Sequence, residues 1–229
     1  MKKASIFLVI LTTLFFSCTK GEDIDKKFDG SKSAIVDFLG ERAYDSIVKL
    51  GITFNTGNTP PDITGSYLVS PHILKKSLIP ADRNYIGTKF NDHTLEFKNF
   101  NLKELTIDYI GNHTSSLTGT GDGVYISGSD NKFTIVLKVT MVRKEKDEED
   151  MEAKTTFVIS GELDSDSKAI LNYHNAFLML DNEGNSPPLI ENFQGRLVYD
   201  KDGVSPEAIM PSKRTSTSNN KGLFSILSQ

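Results

Sequence analysis

Apolar residues return at three- and four-residue steps between Ser33 and Leu50, at Ile35, Phe38, Leu39, Ala43, Ile47 and Leu50, which traces one face of a helix. Gly51 stands where a helix stop belongs. Gly40, inside the pattern, weakens the helix by about 1 kcal/mol relative to alanine. From Pro60 onward the pattern changes to short β-branched and aromatic runs broken by Gly, Asn, Asp and Pro, the signature of antiparallel β-structure. About eight strands are expected from these runs. They centre on Gly65 to Ser70, Thr94 to Asn99, Glu104 to Ile110, Gly123 to Ser127, Lys132 to Val142, Thr155 to Leu163, Ala176 to Leu180 and Gly195 to Asp200. The pattern therefore predicts a mainly β fold, a single antiparallel meander with one N-terminal α-helix. Periodicity leaves a closed barrel and a two-sheet sandwich as alternatives.

The connections carry their own chemistry. Gly128, Ser129, Asp130 and Asn131 tolerate positive φ, so the strands on either side should form a hairpin. Arg143 to Asp150 is too charged for a core and is expected as the tip of the next hairpin. Residues 212–229 begin as a Ser-, Thr- and Asn-rich stretch, a polar C-terminal tail whose apolar end, Leu223 to Leu227, is a candidate for docking back.

The N-terminus changes the picture. Lys2 and Lys3 precede an uncharged apolar run from Ala4 to Phe16, the layout of a secretory leader. As a helix the run spans about 20 Å against a hydrocarbon core of about 30 Å, too short for a permanent membrane span. At its end, Ser17 and Cys18 resemble a bacterial lipobox. That resemblance implies cleavage after residue 17, lipidation of Cys18 and a membrane anchor, with two acyl chains giving stable attachment. Cys18 is the single cysteine, so neither an intrachain disulfide nor a Cys-based zinc site is open to the chain. Thr19, Lys20, Gly21, Glu22 and Asp23 are similar to the export signal of surface lipoproteins in Bacteroidota-type bacteria, implying the outer membrane and its outer face. The organisation expected is a signal peptide over residues 1–17, a lipid-anchored flexible tether over 18–31, one helix-plus-β domain over 32–211, and the tail.

The chain carries a net charge of −4, and losing Lys2 and Lys3 makes the remainder more acidic. No stripe of Lys and Arg is visible, which argues against nucleic acid as a partner. The four histidines form no metal pair at helical spacing, and Gly-x-Ser-x-Gly is absent. Asp- and Asn-rich stretches at Asp164, Asp181 and Asp200 match no complete calcium loop and read as turns. No catalytic residue, metal or cofactor is assigned. Asp45, Ser46 and Ile47 resemble the short O-glycosylation acceptor motif of the same bacterial group.

Gly65, Ser66 and Tyr67 in the first strand, followed by a meander ending in a strand with Arg196, are similar to lipocalin-like (calycin) barrels. The resemblance places Tyr67 where that family has a tryptophan, near the last-strand arginine, here Arg196, and implies an internal pocket for a small apolar or amphipathic ligand. For sugars, Tyr85, Tyr109, Tyr125 and Tyr173 are candidates to stack on pyranose faces. The expectation is a non-enzymatic, lipid-anchored envelope protein whose β-domain binds a small hydrophobic ligand or a glycan, with Tyr67, Tyr109, Tyr125 and Arg196 as ligand candidates. An accessory subunit acting through protein contacts is the alternative, and a hydrolase with an unrecognised site a second one.

Overall fold

The computed structural model describes residues 27–111, 120–143, 151–187 and 189–208. The expected leader with Cys18, most of the charged hairpin tip and the expected C-terminal tail lie outside them. No helix among the described residues is long and apolar enough to cross a membrane.

The β-region is one ten-stranded sheet: β1 Gly65–Val69, β2 His72–Ser77, β3 His93–Asn101, β4 Thr106–Gly111, β5 Thr120–Ser129, β6 Lys132–Arg143, β7 Met151–Leu163, β8 Ile170–Asp181, β9 Gly195–Asp200 and β10 Val204–Ser205. The order is β1-β3-β4-β5-β6-β7-β8-β9-β2, with β10 on β8, and every pairing is antiparallel. Because β1 and β2, the two ends of that order, follow one another in the chain, the sheet curls into a nearly closed barrel. The expected hairpin at Gly128 to Asn131 is present, with Ser129 opposite Lys132 and Asp130 at φ 56°.

The last described residues narrow the remaining gap. Val204 and Ser205 pair with Leu171 and Ile170 of β8. Beyond them, Leu68 N–H donates to Pro206 O at 3.0 Å and Ala208 N–H to Ser66 O at 2.7 Å, on β1. The Asp200 carboxylate ties the same corner: its Oδ2 accepts from Ser70 N–H at 3.2 Å, between β1 and β2, and from Ser205 Oγ at 2.7 Å.

Alternation along the strands sorts residues to two faces. Ile135 and Leu137 of β6 point inward with Leu95, Phe97, Ile126, Phe133, Ile159 and Tyr173. Val136 points outward with Val158, Ala176, Leu178 and Leu197, and this outer face is covered by two helices, α1 Lys32–Leu39 and α2 Glu41–Leu50. Where one helix was expected there are two, because Gly40 takes φ 85° and ψ 143° and breaks the run. Its N–H still caps α1 on Val36 O, and Ile35, Leu39, Ala43, Ile47 and Leu50 face the sheet as the apolar spacing required. Ser46 is only 7% exposed, so the acceptor motif at Asp45 to Ile47 turns its serine inward.

The tether is fixed over its described part. Phe28 is buried, and Gly57 N–H donates to Gly30 O at 2.9 Å while Gly128 N–H donates to Gly57 O at 3.0 Å. Side chains are excluded from this ladder: a Cβ at Gly30 would stand 2.0 Å from Gly57 O. Phe28 and Gly30, inside the span expected as a tether, are thus held against the β-region.

Candidate functional site

The barrel interior is the place the lipocalin-like resemblance points to, and six of its described side chains leave no space beside them. Leu95, Phe97, Ile126, Phe133, Ile135 and Tyr173 are each at 0% exposure. A surface with no accessible area borders neither solvent nor a water-sized void, so no ligand space adjoins these residues. The large side chains that occupy the interior are the physical reason the expected pocket is not found among them.

The sequence candidates scatter. Tyr67 lies in this interior, its hydroxyl donating to Ile63 O at 3.0 Å and its ring 6.1 Å from Phe97. Burial, then the charges of Glu207 and Asp62, push its phenol up to about 12. Tyr109 stands 5.7 Å from the other side of the same cluster at Phe97, with its hydroxyl 3.3 Å from His93 Nε2, and burial raises it strongly. Arg196 is buried, and its partner is Asp82 rather than Tyr67: Nε donates to Oδ2 at 2.6 Å and Nη2 to Oδ1 at 2.9 Å. Asp82 belongs to a 3-10 turn, Pro80–Tyr85, and also accepts from Ser77 Oγ at 2.6 Å. Burial pushes the Asp82 carboxyl up, but the hydrogen bonds from Arg196 and Ser77 and the Arg196 charge outweigh it and hold the group below its usual range.

A polar column that sequence reasoning missed runs down the inner wall. His72 and His93 stack at 5.6 Å, and Tyr173, Asn175 and Asp200 are buried beside them. Burial pushes both the Tyr173 phenol and the Asp200 carboxyl upward. These groups come from four strands, β2, β3, β8 and β9, with only Tyr173 and Asn175 sharing one, so no local motif announces them. They are sealed from solvent. Among the described residues, no three His, Cys, Asp or Glu side chains converge as metal ligands.

Of Tyr67, Tyr109, Tyr125 and Arg196, Tyr125 is the candidate that lines an open groove. Its ring stacks on Phe28 at 4.6 Å and meets the edge of Phe38 at 5.2 Å, beside a groove of about 500 Å³. The groove forms where α1 and the docked end of the tether lie over β5. Ser31 makes this possible, since its Oγ accepts from Ala34 N–H at 3.2 Å and starts α1 there. Asp29 in turn accepts from Ser31 N–H at 2.9 Å, and the Ser31 hydroxyl and backbone bonds hold its carboxyl below the usual range. Asp29, Ser33 and Asp37 line the groove together with the three rings. Lys138 lies 5.0 Å over Phe38. The lining thus pairs flat apolar faces with the carboxylates of Asp29 and Asp37, the hydroxyls of Ser31 and Ser33, and the Lys27 ammonium at its edge.

No protein-family model, no curated protein and no solved structure matches the chain.

Proposed function

We propose that the protein is a non-enzymatic outer-membrane lipoprotein, anchored through Cys18 and exposed at the cell surface, whose β-domain binds a glycan in the groove at Tyr125. The observation that carries the reading is the groove's composition. Aromatic rings from the tether, α1 and β5 adjoin the carboxylates of Asp29 and Asp37. A sugar offers C–H faces to rings and hydroxyl donors to carboxylates, and this lining answers both. A small hydrophobic ligand would call for an apolar enclosure, so the glycan is favoured over it. The accessory-subunit reading draws its support from the interior side chains that leave no space beside them.

The test is calorimetric titration of the full chain with oligosaccharides released from its own envelope and from host-type glycoproteins. Binding by one class, weakened about tenfold by Asp37→Asn as expected for loss of a charge-assisted bond, supports the proposal. No binding by any class, or binding indifferent to both Asp37→Asn and Tyr125→Ala with the fold intact, rejects it. For the anchor, mass spectrometry of the N-terminal peptide should find a diacylated Cys18, and Cys18→Ser should release the protein from the membrane fraction.

A further inference from the structure

A second groove, of about 350 Å³, lies along the end of β2 and the 3-10 turn that follows. Three cations line it, Lys75, Lys76 and Arg83, beside the apolar surfaces of Ile79, Pro80 and Ile86, and no carboxylate is among its lining residues. In a chain of net charge −4 this concentration runs against composition. Arg83 is exposed and makes no ion pair among the described residues.

The two lysines are held with donors to spare. Lys76 Nζ donates to Lys49 O at the end of α2. Lys75 Nζ stands 2.6 Å from His174 Nε2 and 5.2 Å over the Tyr199 ring. Each ammonium has three protons, so both can turn another toward a guest. Ile86, 48% exposed, offers an apolar edge within the same lining. The volume suits a small ligand.

We propose that this groove binds the phosphate head of an anionic amphiphile, with Lys75, Lys76 and Arg83 on the phosphate oxygens and Ile86 and Ile79 against the first methylenes of the tail. Arg83 supplies the planar fork that grips two phosphate oxygens, and the lysines supply point charges. The site is separate from the groove at Tyr125, and its occupancy does not depend on a glycan.

His174 is a built-in reporter. Its Nδ1–H donates to Asn172 O at 2.8 Å, so Nε2 accepts from Lys75 and the ring is neutral. Burial lowers its pKa, the Asn172 carbonyl opposes this, and the Lys75 charge lowers it further. A phosphate drawn onto Lys75 offsets that charge and moves the histidine titration upward.

The experiment titrates the full chain with hexyl phosphate, inorganic phosphate and hexanol, following heat and the His174 ring resonance. Hexyl phosphate should bind at least about tenfold tighter than either fragment, and it should raise the His174 midpoint. Arg83→Gln, an exposed change that leaves the melting temperature unaltered, should weaken it about tenfold. Ile86→Ser should bring it down to the level of inorganic phosphate. Equal binding of inorganic and hexyl phosphate overturns the amphiphile assignment in favour of a free-phosphate site. No binding, or binding that ignores Arg83→Gln, overturns the site itself.

Discussion

The two grooves arise in the same way, from a helical segment laid across a strand of the barrel, yet they are held by opposite physics. At Tyr125, α1 and the tether adhere through apolar contact, with Phe28 stacked on Tyr125 and Ile35 and Leu39 buried behind it. At β2, the 3-10 turn is clamped by an ion pair whose side chains are 7% and 9% exposed. Apolar adhesion tolerates changes of pH and salt and adjusts to small shifts of position. A buried two-bond ion pair fixes position but tolerates the loss of neither partner. One groove is therefore built to be robust, and the other to be exact in shape.

The sharpest way to break this contrast is Asp82→Ala, which removes the carboxylate that pairs with the buried Arg196 charge. Chemical denaturation should register a loss of about 3–5 kcal/mol. The paired change Asp82→Leu with Arg196→Met should recover most of it, since apolar replacement of both partners removes the buried charge. Phe28→Ala should cost about 3 kcal/mol, the lower end for a buried ring, because the tether end can relax. It should open the Tyr125 groove while leaving phosphate binding at Arg83 untouched.

Acid separates the two sites next. The folded pKa of Asp82 lies below its usual 3.8, so the clamp contributes fully above that value and is lost as pH falls through the depressed one. Below about pH 3.8, then, the turn at Asp82 should loosen while α1 stays docked, which hydrogen exchange resolved by segment would detect. The reverse order of release would overturn the assignment of forces. The smallest effect belongs to Gly40→Ala, expected to cost about 1 kcal/mol because φ 85° suits glycine, as thermal melting would measure. Since a Cβ there meets no atom within 4 Å, a larger loss would point to something other than backbone strain.

The long strands were legible because alternation and turn residues agreed, and β6 and the Gly128 to Asn131 hairpin fall where the pattern put them. The edge strand β2 was missed. Its burial runs in blocks rather than alternating, with a bulge between Leu74 and Lys76, so the two-residue period fails there. Closure into a near-barrel was unreadable for a different reason: it depends on strands at the extremes of the domain pairing, such as β2 with β9. Tyr125 was legible as a candidate, but its groove needs Phe28, Asp29 and Phe38 from far earlier in the chain. Lys75 and Lys76 stand side by side in the sequence, a pair too short to read as a basic patch. Only the fold brings Arg83 and Ile86 alongside them.

The corner at Asp200 has a consequence for how the molecule comes to be. As the chain emerges from its N-terminus, β1 and β2 are made among the first strands, but β2 waits for β9, and the gap beyond β1 is bridged only by residues 204–208. Such high contact order slows folding, and it leaves unpaired strand edges available to neighbouring chains in the interval. The nascent domain therefore carries its greatest risk of aggregation until its last strand arrives, and any chaperone that protects it should recognise those two early edges.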